Sequence, residues 1–370
     1  MGGNTCYHWA MEPNAQWIEK IGDEGTVCEP LPSLETLLDP PFVPHRWIRG
    51  GHLQSVMSLR SHLTRTLAPT LRWITLGDGD RLAMMDDLPD GWTPGDHTLV
   101  TLHGLCGSSD SAYMQRLASR FTALGVRVFR LNLRGCGAGL GHANQITHAG
   151  RSADVCAGLR AVAEITGNGP LSVVGVSLGG NQLLRALGMV DDPRSPEHFG
   201  CETWLPRIHR AAAVSPPIDL HRCSDNMSRA RMAPYNRFFI RHLLSTVSEE
   251  LRRHEVIQAA IANMPKNMRE LDERVTAPLI GFRDASHYYQ STAACRVMSG
   301  IAVPTLILAA NDDPIVPASC FGRLVRVNWP SCIQLVITRG GGHVGFIGEG
   351  KQRHWMDGLL ERWFGYAKLA

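Results

Sequence analysis

From residue 97 to residue 217 the chain alternates between short apolar runs and amphipathic stretches of helical period, and this alternation constrains the fold more than any other feature. HTLVTLHGL (97–105) reads as a buried strand and AYMQRLASRFTALG (112–125) as a helix. VRVFRLNLRG (126–135) and RSADVCAGLRAVAEITG (151–167) repeat the pair. LSVVGVS (171–177) and LGGNQLLRALGMV (178–190) repeat it again, and IHRAAAVSPP (208–217) is the next strand. Strands that are apolar along their whole length and joined by helices imply a mostly parallel sheet covered on both faces. Two more strands are expected at PTLILAAN (304–311) and IQLVITRGGG (333–342), each with a helical segment after it. LRWITL and RLAMMDDL flank the turn Gly77-Asp78-Gly79-Asp80 and read as an antiparallel hairpin at one edge.

Between Asp219 and Ile301 the pattern changes to helices and loops rich in Arg, Met and Tyr, with no convincing strand. The expected organisation is therefore a surface segment over 1–40, one α/β core made of 41–218 and 303–370, and a helical cap or lid over 219–302. The 370 residues are 44% apolar and 19% charged, a globular composition. The net charge is +3, with scattered arginines and no dense basic run, so nothing calls for a nucleic-acid partner. Ten dispersed cysteines show neither a CxxC pair nor zinc-ligand spacing and read mostly as free thiols in a reducing compartment. No secretory signal is visible, and no run of about 18 apolar residues exists, so the expected location is the cytoplasm.

A nucleophilic serine needs a base to take its proton, a carboxylate to orient that base, and N–H groups for the oxyanion. On a parallel sheet these groups come from loops at the carboxyl ends of strands. Gly175-Val176-Ser177-Leu178-Gly179 ends one strand and opens a helix. It reads either as a nucleophile elbow or as a tight turn whose serine caps the helix. After the strand at 304–311 come Asp312-Asp313-Pro314-Ile315-Val316-Pro317, and after LVIT come Gly340-Gly341-Gly342-His343. The chain order Ser177, Asp313, His343 is that of an α/β-hydrolase triad, which favours the elbow. Asp312 competes for the orienting role; Asp313, directly before the Pro-x-x-Pro turn, is the expected acid. The oxyanion donors would be the backbone N–H of Leu178 and that of Leu105, from the loop after LVTLHG.

With those residues placed, the sequence resembles the YheT-like branch of the α/β-hydrolases, a group of bacterial proteins and membrane-anchored animal lipases and phospholipases. The shared stretches are RGGHLQS (49–55), HGLCGSSDSAY, NLRGCG, GVSLGGNQLL, VTAPLIGFRDASHYY, DDPIVP and GGHVGFIGEG, running from about residue 40 to 350. The resemblance implies a serine hydrolase of acyl esters, esterase or lipase, with Ser177, Asp313 and His343 as its triad and no metal or organic cofactor. Unlike the animal members, the sequence shows no N-terminal membrane anchor; small-molecule or lipid esters are the expected partners, with peripheral membrane contact left open. Acyl transfer or thioester cleavage by the same triad, or a catalytically silent ligand-binding protein of this fold, are the alternative readings. MSRARMAPYNRFFIRHLL (227–244) offers Met, Phe and Leu for an acyl pocket. His52 is expected at the surface or in a structural role, and Cys106 and Cys136 in packing.

Overall fold

The computed structural model describes residues 17–20, 31–59, 68–322 and 325–366. Cys6, Cys28 and most of the 1–40 segment lie outside the described residues. Nine strands form one sheet: β1 (Trp17–Lys20), β2 (Thr70–Thr75), β3 (Arg81–Asp87), β4 (Thr98–Leu102), β5 (Arg127–Leu131), β6 (Leu171–Val176), β7 (Ile208–Val214), β8 (Thr305–Ala310) and β9 (Ile333–Thr338). Their order is β1-β9-β8-β7-β6-β4-β5-β3-β2. From β9 through β5 neighbours are parallel, whereas the β2–β3 hairpin and β1 close the two edges with antiparallel pairs. The hairpin lies at one edge of the sheet, as the sequence suggests. β1 is an addition that the sequence does not announce, since four residues are too few to display a period.

Because side chains alternate across a sheet, each strand feeds two cores. Val100, Leu102 and Val173 pack with helices α3 (Ser152–Thr166) and α4 (Leu178–Met189) on one face. Leu99 and Val174 pack on the other face with α2 (Ala112–Thr122) and α9 (Trp355–Phe364). Leu37, Leu38 and Phe42 are buried in that second core, so the described end of the N-terminal segment is anchored against α9. The helix expected after β9 is α9. After β8 the sequence suggests another, but the described residues there hold only short 3-10 turns such as Ala318–Phe321, in a stretch broken by Pro314, Pro317 and Gly322.

Between β7 and β8 the chain leaves the sheet and is wholly helical or looped. The principal helices are α5 (Leu220–Met227), α6 (Ala233–Ser245), α7 (Glu255–Ala262) and α8 (Ala285–Thr292). This insertion has a small core of its own, formed by Ile240, Leu244, Ile257, Ala260, Leu271 and Val275. A second cluster joins it to the carboxyl edge of the sheet: Ala285, Tyr288 and Tyr289 meet Leu133, Ala149 and Leu178. Asn181 ties the same junction, donating to the Ala149 and Thr292 carbonyls and accepting the Ala294 N–H. The helical insertion thus sits over the strand ends from which ligand-binding loops arise.

Candidate active site

β6 passes into α4 with no intervening loop, and Ser177 is the residue at the junction. Its backbone, at φ 52° and ψ −118°, is one that an L-residue avoids; such conformations cost about 1–3 kcal/mol and persist only where neighbours enforce them. Here the Ser177 N–H donates to the Val214 carbonyl at 2.8 Å, and the Asn181 N–H donates to the Ser177 carbonyl at 3.1 Å. The crossing is also very close. A Cβ on Gly175 would lie 2.5 Å from the Gly179 oxygen, and one on Gly179 would lie 2.5 Å from the His103 oxygen. The two glycines of Gly-x-Ser-x-Gly are therefore steric requirements of this turn.

His343 stands in the loop after β9. Its Nε2 is 2.9 Å from Ser177 Oγ and its Nδ1 is 2.8 Å from Asp313 Oδ2. Asp313 Oδ1 accepts the N–H groups of Ile315 at 2.8 Å and Val316 at 2.9 Å, and its side chain is 1% exposed. With Oδ1 occupied by two donors, Oδ2 receives the Nδ1 proton, which leaves Nε2 as an acceptor facing the serine hydroxyl. Asp312 turns elsewhere: its Oδ1 accepts the Gly342 N–H at 2.8 Å, and burial raises its pKa. Of the two adjacent aspartates, Asp313 meets the imidazole.

The loop after β4 lies against the elbow, where a Cβ on Gly104 would be 2.9 Å from that of Ser177. The Gly104 N–H donates to the Tyr113 hydroxyl at 2.8 Å. His103, fully buried, donates from Nδ1 to the Gly104 carbonyl and accepts the Leu133 N–H at Nε2. Burial pushes its pKa down to about 4, so the ring is a neutral strut between two strand-end loops. Leu178 opens α4, and a first-turn N–H has no acceptor within its helix. Leu105, Ser177 and Leu178 line a cavity of about 210 Å³. Met227, Phe239, Leu243 and Leu244 of the stretch suggested for a pocket also line it. Met232 and Ile240 are buried without lining it, and Phe238 is 55% exposed.

A family model described as the alpha/beta hydrolase family matches residues 99–352. The chain belongs to the alpha/beta hydrolase family. YheT of Escherichia coli, which is named provisionally as an esterase, is 28% identical over 328 residues, covering 87% of this chain and 92% of that protein. Phospholipase ABHD3 of Mus musculus is 28% identical over 275 residues, covering 72% of this chain and 62% of that protein, so the chain spans less than two thirds of this second relative. The solved esterase Pf2001 of Pyrococcus furiosus aligns with a TM-score of 0.52 at 17% identity, covering 83% of this chain and 97% of that one, a likeness of fold alone.

This hydrolase also holds its histidine loop with a helix from far upstream, α1 (Gly51–Met57). Ser55 Oγ accepts the His343 N–H at 2.7 Å and donates to the Gly51 carbonyl at 2.6 Å. Fully buried Gln54 accepts the Ile347 N–H and donates to the carbonyls of Ile48 and Ile347. A Cβ on Gly51 would fall 1.7 Å from the Asp312 oxygen, so α1 packs directly onto the turn that carries the aspartates. Sequence reasoning missed Gln54 and Ser55. The signal was the stretch RGGHLQS itself, but its conspicuous residue is His52, which pairs through Nδ1 with the Tyr235 hydroxyl at 3.0 Å on the insertion. Burial raises the thiol pKa of Cys106, and that of Cys136 to about 12, so both stay protonated beside the site. Among the described residues no helix is long and apolar enough to cross a membrane, and no three His, Cys, Asp or Glu gather as metal ligands.

Proposed function

We propose that this hydrolase cleaves carboxylic esters through an acyl-enzyme on Ser177. The observation that carries the reading is the relay of two hydrogen bonds, Ser177 Oγ to His343 Nε2 at 2.9 Å and His343 Nδ1 to Asp313 Oδ2 at 2.8 Å. His343 takes the hydroxyl proton as Oγ attacks the ester carbonyl carbon, while Asp313 holds the tautomer and stabilises the imidazolium. The N–H groups of Leu105 and Leu178 receive the developing oxyanion, at roughly 3–4 kcal/mol per donor. The imidazolium then protonates the departing alkoxide, and the bond from the carbonyl carbon to the alcohol oxygen breaks. A water deprotonated by His343 attacks the acyl-enzyme and frees the acid. Residues 219–302 act as a cap that walls the acyl cavity, and its apolar lining suits small-molecule or lipid esters.

Hydrolysis of p-nitrophenyl esters from two to sixteen carbons by wild type and Ser177→Ala tests this directly. The expected result is turnover by wild type, none by the variant, and fluorophosphonate labelling only where Ser177 is present. Equal hydrolysis by both proteins would remove Ser177 from the mechanism.

A further inference from the structure

The cavity beside Ser177 is mostly apolar, yet its wall carries polar side chains that acyl transfer does not use, among them an acceptor and a donor with hydrogen-bonding capacity to spare. The acceptor is Asp272, which opens the π-helical turn Asp272–Thr276. Its Oδ2 takes the Tyr289 hydroxyl at 2.7 Å, and Thr276 supplies a second side-chain hydrogen bond. A carboxylate has about four lone-pair sites, so accepting capacity remains. No ion pair to Asp272 exists among the described residues, and burial pushes its pKa up to about 6.

The donor is His148. Its Nδ1 accepts the Gly150 N–H at 3.1 Å, so the neutral ring carries its proton on Nε2. Among the described residues that Nε2–H has no hydrogen-bond partner. Burial, reinforced by Arg151, Arg134 and Arg185, pushes the His148 pKa down to about 3, which keeps the ring neutral. The two groups are linked through two tyrosines. The His148 ring lies 6.0 Å from that of Tyr288, which lies 5.4 Å from that of Tyr289, the residue bonded to Asp272. Both line the same cavity as Ser177.

Both side chains are half-buried and open to the cavity, so a substrate that fills it and displaces water from them loses affinity unless it replaces those hydrogen bonds. A hydroxyl suits either group, accepting from an imidazole N–H or donating to a carboxylate. An alkyl chain satisfies neither group, and an ammonium cannot accept from His148. We propose that His148 and Asp272 recognise substrate hydroxyls in this cavity, so that the enzyme selects hydroxylated esters over plain alkyl esters. The inference rests on the reading of Ser177 as nucleophile, because the cavity is the one beside that serine.

Two isosteric substrate pairs test it. Methyl 6-hydroxyhexanoate against methyl heptanoate puts the hydroxyl on the acyl side; 2-hydroxyethyl hexanoate against propyl hexanoate puts it on the alcohol side. Wild type is expected to favour the hydroxylated member of one pair tenfold or more in kcat/KM, and that pair identifies the side that enters the cavity. Asp272→Leu and His148→Phe should each bring the ratio close to one. General damage to the fold slows both members together and leaves the ratio in place, and if Asp272→Leu does not fold, His148→Phe carries the test. Ratios within twofold for both pairs in wild type, or ratios unmoved in the folded variants, overturn the proposal and leave ester hydrolysis standing. No turnover of any of the four esters, together with no fluorophosphonate label on Ser177, overturns the ester-hydrolase reading and this inference with it.

Discussion

Asp313→Asn exchanges one carboxylate oxygen for an NH2 group, and the surroundings dictate which. Oδ1 accepts two backbone donors, the N–H groups of Ile315 and Val316. Turning the amide so that its NH2 faced them would leave both unsatisfied, at about 1–3 kcal/mol each. The flipped form therefore lies about 2–6 kcal/mol higher, and the amide oxygen keeps the Oδ1 position. The NH2 must then face His343 Nδ1, where Asp313 Oδ2 now stands 2.8 Å away. A donor there obliges Nδ1 to accept, which moves the ring proton to Nε2 and aims it at Ser177 Oγ. The imidazole can no longer take the serine proton. The corresponding aspartate-to-asparagine change in a serine protease lowers kcat about 10⁴-fold, and the same tautomer argument predicts a loss on the order of 10³–10⁴ here. The assay is kcat on the best p-nitrophenyl ester, run beside Asp312→Asn, whose side chain bonds the Gly342 N–H and not the ring. Asp312→Asn should lose about tenfold at most, because an amide oxygen still accepts that N–H. An Asp313→Asn enzyme within tenfold of wild type, or equal losses in the two variants, would refute the reasoning.

Three further changes probe the frame around the relay. Gly179→Ala puts a methyl group 2.5 Å from the His103 oxygen and 2.9 Å from Leu102 Cβ; overpacking against backbone should destabilise by about 1–3 kcal/mol or more and abolish activity, read from thermal unfolding and ester turnover. Ser55→Ala leaves the His343 N–H without its acceptor, so kcat should fall several-fold or more with KM nearly unchanged; equal shifts in both would point to a merely structural role. In the third, His148→Phe should flatten the acid limb of stability. Between about pH 6 and 4 the unfolded chain binds a proton at position 148 that the native ring refuses, so acid favours unfolding by up to about 1.4 kcal/mol per pH unit. Urea unfolding at pH 6, 5 and 4 should show wild type losing stability more steeply than the variant.

What the sequence makes legible follows from local pattern. Strands β4 to β9 announce themselves because burial on both faces makes them continuous apolar runs, and their ends point to Ser177, Asp313 and His343 as candidates. The helical character of the insertion is equally visible, because helical periods replace strand runs. Other features depend on contacts across hundreds of residues and leave no local trace. β1 is a four-residue strand defined only by its pairing with β9. Ser55 and His343 are 288 residues apart, and nothing in either loop names the other. His148 and Asp272 belong to different elements, and their shared cavity appears only when the insertion folds over the strand ends. The choice between Asp312 and Asp313 turns on which neighbouring N–H groups each carboxylate meets, a matter of geometry that two adjacent identical residues cannot reveal.

The distances in sequence between the parts of the relay also set an order of assembly during synthesis. The serine elbow and the strands on either side of it, β4 to β7, are complete well before residue 343 has been made. Ser177 and His343 are 166 residues apart, and at about 5–20 residues per second the ribosome needs roughly 8–33 s to cover that interval. Through that time the nascent chain carries the serine with no base to pair with it. The brace that seats His343 is made first, near residue 55, and waits longest for its partner. On the proposed mechanism, activity waits for the last strand and its loop. A chain cut just before that loop would hold Ser177 without its base, and it would also lack α9, which packs on one face of the sheet.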